Sequence, residues 1–151
     1  MADALAAEVV SLSIPSRLEL LVVLDSAALA ICERMQFDAD ACSQVSMAVV
    51  EAGTNAVQHG NRRDASKSFD ARFFMYTDRL EVEVRDSGTG FDAAGVSHDI
   101  TTPEHLLDMR GRGIFIMRAC CDRVDFESGP SGTLCRLVKH RVATAQSAAD
   151  A

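Results

Sequence analysis

The sequence predicts an α+β domain: a two-layer α/β sandwich in which helices cover one face of a mixed, largely antiparallel sheet. Three observations carry this expectation. The elements read along the chain fall in the order βααββαββ, the later strands come as hairpins, and 151 residues with 48% hydrophobic content suffice for one two-layer core of ordinary size. Residues 1–142 are expected to form that single domain, and 143–151, built mainly from Ala, Ser, Gln and Asp, a frayed tail.

Residues 8–14 alternate weakly between apolar and polar side chains and are closed by Pro15, which predicts a first strand. Ser16 has the side chain of an N-cap for a long helix over 17–35, in which Leu20, Leu21, Leu24, Ala28 and Ile31 recur at helical spacing. Asp38 or Asp40 then caps a second helix reaching Gly60, with Val45, Val49, Ala52 and Ala56 on its core face. Gly53 inside this helix costs about 1 kcal/mol relative to Ala, unless a neighbouring element packs closely there. The polar stretch 62–67 is a turn, and 69–76 and 80–84 form a hairpin through Thr77-Asp78-Arg79. Residues 91–110, broken by Gly95 and Pro103, hold no sustained period and read as a long functional loop. A third helix is expected over 113–121, then strands over 124–128 and 133–140 across Gly129-Pro130-Ser131-Gly132.

Composition narrows the function classes. Fifteen Lys plus Arg against 22 Asp plus Glu leave a net charge of −7, which argues against a nucleic-acid partner because phosphate binding draws on clustered positive charge. The five cysteines (Cys32, Cys42, Cys120, Cys121 and Cys135) show no metal-ligand spacing and read as reduced, buried thiols. His98 and His105 lack a spaced partner set, so no zinc is expected. The first ten residues contain Asp3 and Glu8 and no Lys or Arg, unlike a secretory leader. The apolar stretch 18–31 holds Glu19 and Asp25 and is shorter than the ~20 residues of a bilayer span. A cytoplasmic protein with no membrane partner is the expectation.

Three short blocks carry the chemistry. In Glu51-Ala52-Gly53-Thr54-Asn55-Ala56-Val57-Gln58-His59-Gly60, the residues Glu51, Asn55 and His59 are spaced to form one polar row along a helix. Mg²⁺ prefers oxygen ligands and takes one or two protein groups beside phosphate oxygens, which suits the side-chain carbonyl of Asn55, while Glu51 can deprotonate an attacking hydroxyl. In Asp86-Ser87-Gly88-Thr89-Gly90-Phe91, a carboxylate emerges at a strand end, where it can accept from an adenine amino group, and Gly88 and Gly90 let the backbone approach a flat ring. In Gly111-Arg112-Gly113-Ile114, backbone N–H groups at a helix start can meet phosphate oxygens, with Arg110 and Arg112 adding positive charge. Thr133, after Gly132, can add a hydroxyl at the adenine edge. Taken singly, each block also fits a solvated stripe, a loop turn or a helix cap; together they supply the separate parts of one nucleotide site.

On these blocks the chain resembles GHKL-type (Bergerat-fold) ATPases, and above all the small anti-sigma-factor serine kinases of bacterial partner switching, over roughly residues 8–139. The resemblance implies that Glu51 is the catalytic base and Asn55 the magnesium ligand, with His59 and Gly60 completing the block. It implies that Asp86 reads adenine, that Gly88 and Gly90 shape its turn, and that Gly111 and Gly113 belong to the phosphate lid. Arg110 is then the candidate contact to the terminal phosphate, and Arg112, Ile114 and Thr133 join the nucleotide-contacting set. The implied cofactors are ATP and Mg²⁺. The implied partners are a STAS-domain anti-anti-sigma protein, phosphorylated on serine, a sigma factor held inactive, and a second copy in a homodimer. A non-catalytic module that binds ATP as a switch while sequestering a protein is the competing function, and an α+β domain without nucleotide a third.

Overall fold

The computed structural model describes residues 8–88 and 109–142, with side chains from 111 onward in the second stretch. Five strands and three helices make up these residues: β1 (Glu8–Pro15), α1 (Leu21–Arg34), α2 (Ala39–Asn55), β2 (Ser68–Met75), β3 (Arg79–Arg85), α3 (Met109–Cys120), β4 (Arg123–Gly129) and β5 (Gly132–His140). The sheet order is β1-β2-β3-β5-β4, and all four pairings are antiparallel. This is the expected α+β architecture. The loop glycine Gly90, His98, His105 and the tail 143–151 lie outside the described residues.

Strand alternation explains why the helices gather on one face. In β2 the side chains of Phe69, Ala71, Phe73 and Met75 are buried while Ser68, Asp70 and Arg72 are exposed, the period-2 pattern of a half-covered sheet. Leu80, Val82 and Val84 of β3 and Cys135 and Leu137 of β5 continue the buried face. Against it pack Leu24 and Ala28 of α1, Val45, Ala48, Val49 and Ala52 of α2, and Ile114 and Met117 of α3. The opposite face is covered by charge pairs, Arg79 with Glu81 at 2.9 Å and Arg136 with Glu83 at 3.0 Å, and by Arg79 stacked 3.9 Å above the Tyr76 ring.

Helix α2 occupies the middle of the helical layer, between α1 and α3. Its start is the expected cap: Asp38 accepts from the Ala41 N–H at 2.7 Å. Gly53 has the close neighbour its position called for. A Cβ there would lie 2.7 Å from Leu24 Cδ2 and 2.8 Å from Leu21 Cδ2, so the missing side chain is what admits α1.

Three expectations are corrected. Ser16 does not cap a helix: it is 1% exposed, its hydroxyl accepts from the Asn61 amide, and a short 3-10 turn (Leu18–Leu20) precedes α1 without a side-chain cap. The second helix is α-helical only to Asn55 and finishes in a wider π turn, Ala56–Gly60, in which the Asn61 N–H reaches back to the Ala56 carbonyl at 2.7 Å. Helix α3 as described begins at Met109 rather than at residue 113, so the glycine pair Gly111 and Gly113 lies within the helix rather than ahead of it. All five cysteines are free thiols, four of them buried, and burial pushes Cys32, Cys121 and Cys135 up to about 12.

After the π turn, Arg62 and Arg63 adopt left-handed φ values of 52° and 59°. For an L-residue with a Cβ this costs about 1–2 kcal/mol each. Arg63→Gly is therefore expected to raise unfolding stability by about 0.5–1 kcal/mol, measured by urea denaturation; a loss of stability would show that the arginine side chain offsets the strain.

Candidate active site

Asp86 stands one residue beyond β3 and is 7% exposed. A buried carboxylate must have partners, and here the backbone provides them: Gly88 N–H and Thr133 N–H both donate to Oδ1, at 2.9 and 3.1 Å. The Asp86 N–H in turn donates to the Thr133 carbonyl at 3.0 Å, tying the end of β3 to the start of β5. Among the described residues both side-chain bonds fall on Oδ1, which leaves Oδ2 with acceptor capacity.

Two glycines make this arrangement sterically possible. A Cβ on Gly60 would lie 2.1 Å from Asp86 Cγ, and one on Gly88 would lie 1.8 Å from the Gly60 carbonyl oxygen. The π turn at the end of α2 therefore presses directly on the Asp-Ser-Gly turn. This contact is the reason that the first and second sequence blocks meet.

The third block arrives through α3, whose Cys120 end is held by Lys139: its Nζ donates to the Cys120 carbonyl at 2.8 Å and to Gln44 Oε1 at 2.7 Å. A Cβ on Gly113 would stand 2.8 Å from Glu51 Oε2 and 3.7 Å from Asn55 Oδ1. Helix α3 thus leans at Gly113 on the carboxylate and the amide without a side chain between them. Backbone N–H groups near the start of a helix, with the positive end of its dipole, can serve an anion. Between α2 and the sheet lies a cleft lined by Ala52, Asn55, Ala56, Val84, Asp86, Phe126, Thr133 and Cys135. The free volume of this cleft is about 10 Å³, so a flat ring would part its walls to reach the carboxylate.

Glu51 is half-buried, and desolvation raises its carboxyl above the ordinary value of 4.5. The Asn55 side-chain nitrogen is buried and has no hydrogen-bond partner among the described residues. An orphaned amide beside a carboxylate, facing a helix start with no side chain in the way, fits a magnesium-bound polyphosphate: the amide can offer Oδ1 to the cation or a donor to a phosphate oxygen. Among the described residues no three His, Cys, Asp or Glu side chains come together as a metal site.

Of the residues singled out from the sequence, Glu51, Asn55, Asp86, Gly88, Gly113 and Thr133 come together around this cleft. His59 sits half-buried in the π turn and is engaged in a contact of its own. Gly111 is buried in the first turn of α3, and Arg112 is exposed and engaged. Arg110 belongs to α3 by its backbone, but its side chain lies outside the described residues, as does Gly90. Ile114, at 1% exposure, packs in the core. Sequence reasoning passed over Cys135 and Phe126, which line the cleft, and Asn61, which is buried behind it. β5 is buried on both faces from Gly132 to Cys135, so alternation carries no signal that would have placed Cys135.

Comparison with known proteins agrees with the geometry. The family description "Histidine kinase-like ATPase domain" matches residues 14–139. The serine-protein kinase RsbW of Bacillus subtilis is 30% identical over 139 residues, covering 89% of this chain and 86% of that protein. The RsbW of Bacillus licheniformis is 31% identical over 131 residues, 82% of each chain. A crystal structure of the RsbU and RsbW domains of a Mycobacterium tuberculosis protein superposes with a TM-score of 0.63 at 14% identity, a likeness of fold. That match covers 91% of this chain and 34% of the longer mycobacterial one.

Two outcomes follow from the site. Gly88→Ala must displace the Gly60 carbonyl, so it is expected to cost about 1–3 kcal/mol of stability and to abolish adenine-nucleotide binding measured by calorimetric titration; unchanged affinity would refute the close approach. Glu51 keeps its proton in the folded state at pH values where the unfolded chain has released it, so its contribution to stability is present below 4.5 and is lost as pH rises through the raised folded value. Glu51→Gln, neutral throughout, should melt higher than the parent at pH 7 without nucleotide, with the difference vanishing towards pH 4. Equal melting at both pH values would mean that the carboxyl is not desolvated.

Proposed function

Because this chain belongs to the GHKL family of histidine-kinase-like ATPase domains and is homologous to the RsbW-type anti-sigma-factor kinases, we propose that it is an ATP-dependent serine-protein kinase and anti-sigma factor. It phosphorylates a STAS-type anti-anti-sigma partner on serine and, in the alternative complex, sequesters a sigma factor. The observation that supports this reading best is the meeting of the Glu51 carboxylate and the Asn55 amide at Gly113, next to the Asp86 cleft.

The roles follow from the groups present. The adenine ring would enter between Ala52, Val84 and Cys135, with its amino group donating to the Asp86 carboxylate. Backbone N–H groups in the first turn of α3 meet the phosphate oxygens. Asn55 would hold the magnesium ion, which when bound would neutralise phosphate charge. Glu51, a stronger base than an ordinary carboxylate because it is desolvated, accepts the proton of the partner's serine hydroxyl as the serine oxygen bonds to the terminal phosphorus. The bond from that phosphorus to the bridging oxygen breaks and ADP leaves. No described helix is long and apolar enough to cross a membrane, which accords with work in the cytoplasm. A homodimer, as the family resemblance implies, belongs to the same proposal.

Glu51→Gln is expected to lower phosphotransfer to the cognate partner by about 10²–10⁴-fold while Mg-ATP affinity changes little, and Asn55→Ala to remove the magnesium dependence of ATP binding. Radiolabel transfer and calorimetric titration read the two effects. Transfer that survives Glu51→Gln with sequestration of a protein intact would remove the base and favour a different catalytic group; a parent protein that binds Mg-ATP and a partner but never transfers would establish the non-catalytic switch instead.

A further inference from the structure

Asn61 is 1% exposed and uses its whole side chain. Its amide nitrogen donates to Ser16 Oγ at 2.5 Å and to the Ser68 carbonyl at 3.0 Å, joining the end of β1 to the start of β2. Its amide oxygen accepts from the Ser87 N–H at 2.9 Å and from the Ser87 hydroxyl at 3.2 Å. Ser87 is the residue between Asp86 and Gly88. On its backbone side, the Asn61 N–H bonds to the Ala56 carbonyl at 2.7 Å, one residue after Asn55. The chain then passes through two strained left-handed residues, Arg62 and Arg63. Backbone strain of this kind persists only where the surrounding contacts over-determine the conformation.

The Asp-Ser-Gly turn is therefore gripped from two directions. Thr133 holds Asp86 from the β5 side, and Asn61 holds Ser87 from the α2 side. We propose that Asn61 is a positioning residue for adenine recognition: it fixes the turn carrying Asp86 relative to the helix carrying Asn55, and so sets the preference for a purine with an exocyclic amine. This rests on the reading of Asp86 as the acceptor for the adenine amino group. Apolar contacts to the ring and backbone contacts to the phosphates do not pass through Asn61. Its loss should weaken the one directional contact and leave the others, because a hydrogen bond to a loosened carboxylate loses alignment before stacking loses area.

The test compares Mg-ATP with the magnesium complex of purine riboside triphosphate, which lacks the amino group, by calorimetric titration of the full chain. In the parent, ATP is expected to bind at least about tenfold more tightly. Asn61→Ala should bring ATP down to within about twofold of the analogue, whose own affinity stays nearly constant. Ser16→Ala removes a bond to the same amide on its far side; it should lower Tm yet keep the parent's preference. Loss of preference in both variants alike would reduce Asn61 to a structural residue and overturn the proposal, and so would full preference in Asn61→Ala. A parent that binds both nucleotides equally ends the adenine reading of Asp86 first, and this proposal with it. If Asn61→Ala does not fold, amide hydrogen exchange in the unmodified protein decides: the Ser87 N–H should be protected before nucleotide is added, whereas an amide protected only by Mg-ATP would show that the ligand, not Asn61, orders the turn.

Discussion

Asp86 Oδ1 accepts two backbone N–H groups from segments far apart in the chain, Gly88 just after it and Thr133 at the start of β5. A carboxylate at 7% exposure would be costly to bury without such partners, and charge-assisted bonds of this type contribute about 1.5–3 kcal/mol each. The pin works because three glycines, Gly60, Gly88 and Gly132, let the π turn, the Asp-Ser-Gly turn and the β5 start lie within contact of one another. Every feature of the cleft is referenced to that point: the reach of Asp86 into the pocket, the distance from Asp86 to Asn55, and the approach of the helix end to the sheet.

Helix α2 is the complementary constraint. It lies between α1 and α3, and its buried residues are Cys42, Val45, Ala48, Val49, Ala52 and Gly53, mostly small. Small side chains allow close packing against both the sheet and the flanking helices, so the polar residues on the remaining stripe are drawn in with them. That is how Glu51 comes to be desolvated and Asn55 to have an amide nitrogen without a partner. Both conditions oppose stability and both suit a ligand that brings charge and oxygen atoms of its own. Local conflict with folding rules, confined to two residues that face the same cleft, is the physical mark of a site.

Much of this was readable in residue order. The strand alternation of 69–76 and 80–84 fixes which side of each strand is covered, and the hydrophobic spacing of α2 fixes which stripe remains polar. The short sequence blocks identified Glu51, Asn55, Asp86 and Gly113 before any contact was known. Where expectation failed, a distant partner was responsible. Ser16 has the chemistry of a cap but meets Asn61, which is 45 positions further along. The helix carrying Asn55 ends in a π turn because the Asn61 N–H bonds five residues back, and periodicity cannot distinguish that widening from an ordinary last turn. The glycine pair looked like a helix entry and instead lies inside α3 as described, from Met109. A glycine signals room for a close approach without saying what will approach.

The sequence by itself determined the class of fold, the covered face of the sheet and the kinds of group available for chemistry, because those depend on side-chain identity and on periods of two and of three to four residues. Only the tertiary structure decided that the carboxylate of Glu51 is desolvated, that the Asn55 amide is left unpartnered, and that the turn bearing Asp86 is held by Asn61 and Thr133. These are properties of contacts between segments tens of residues apart in the chain, and solvation and hydrogen-bond saturation exist only once those segments meet.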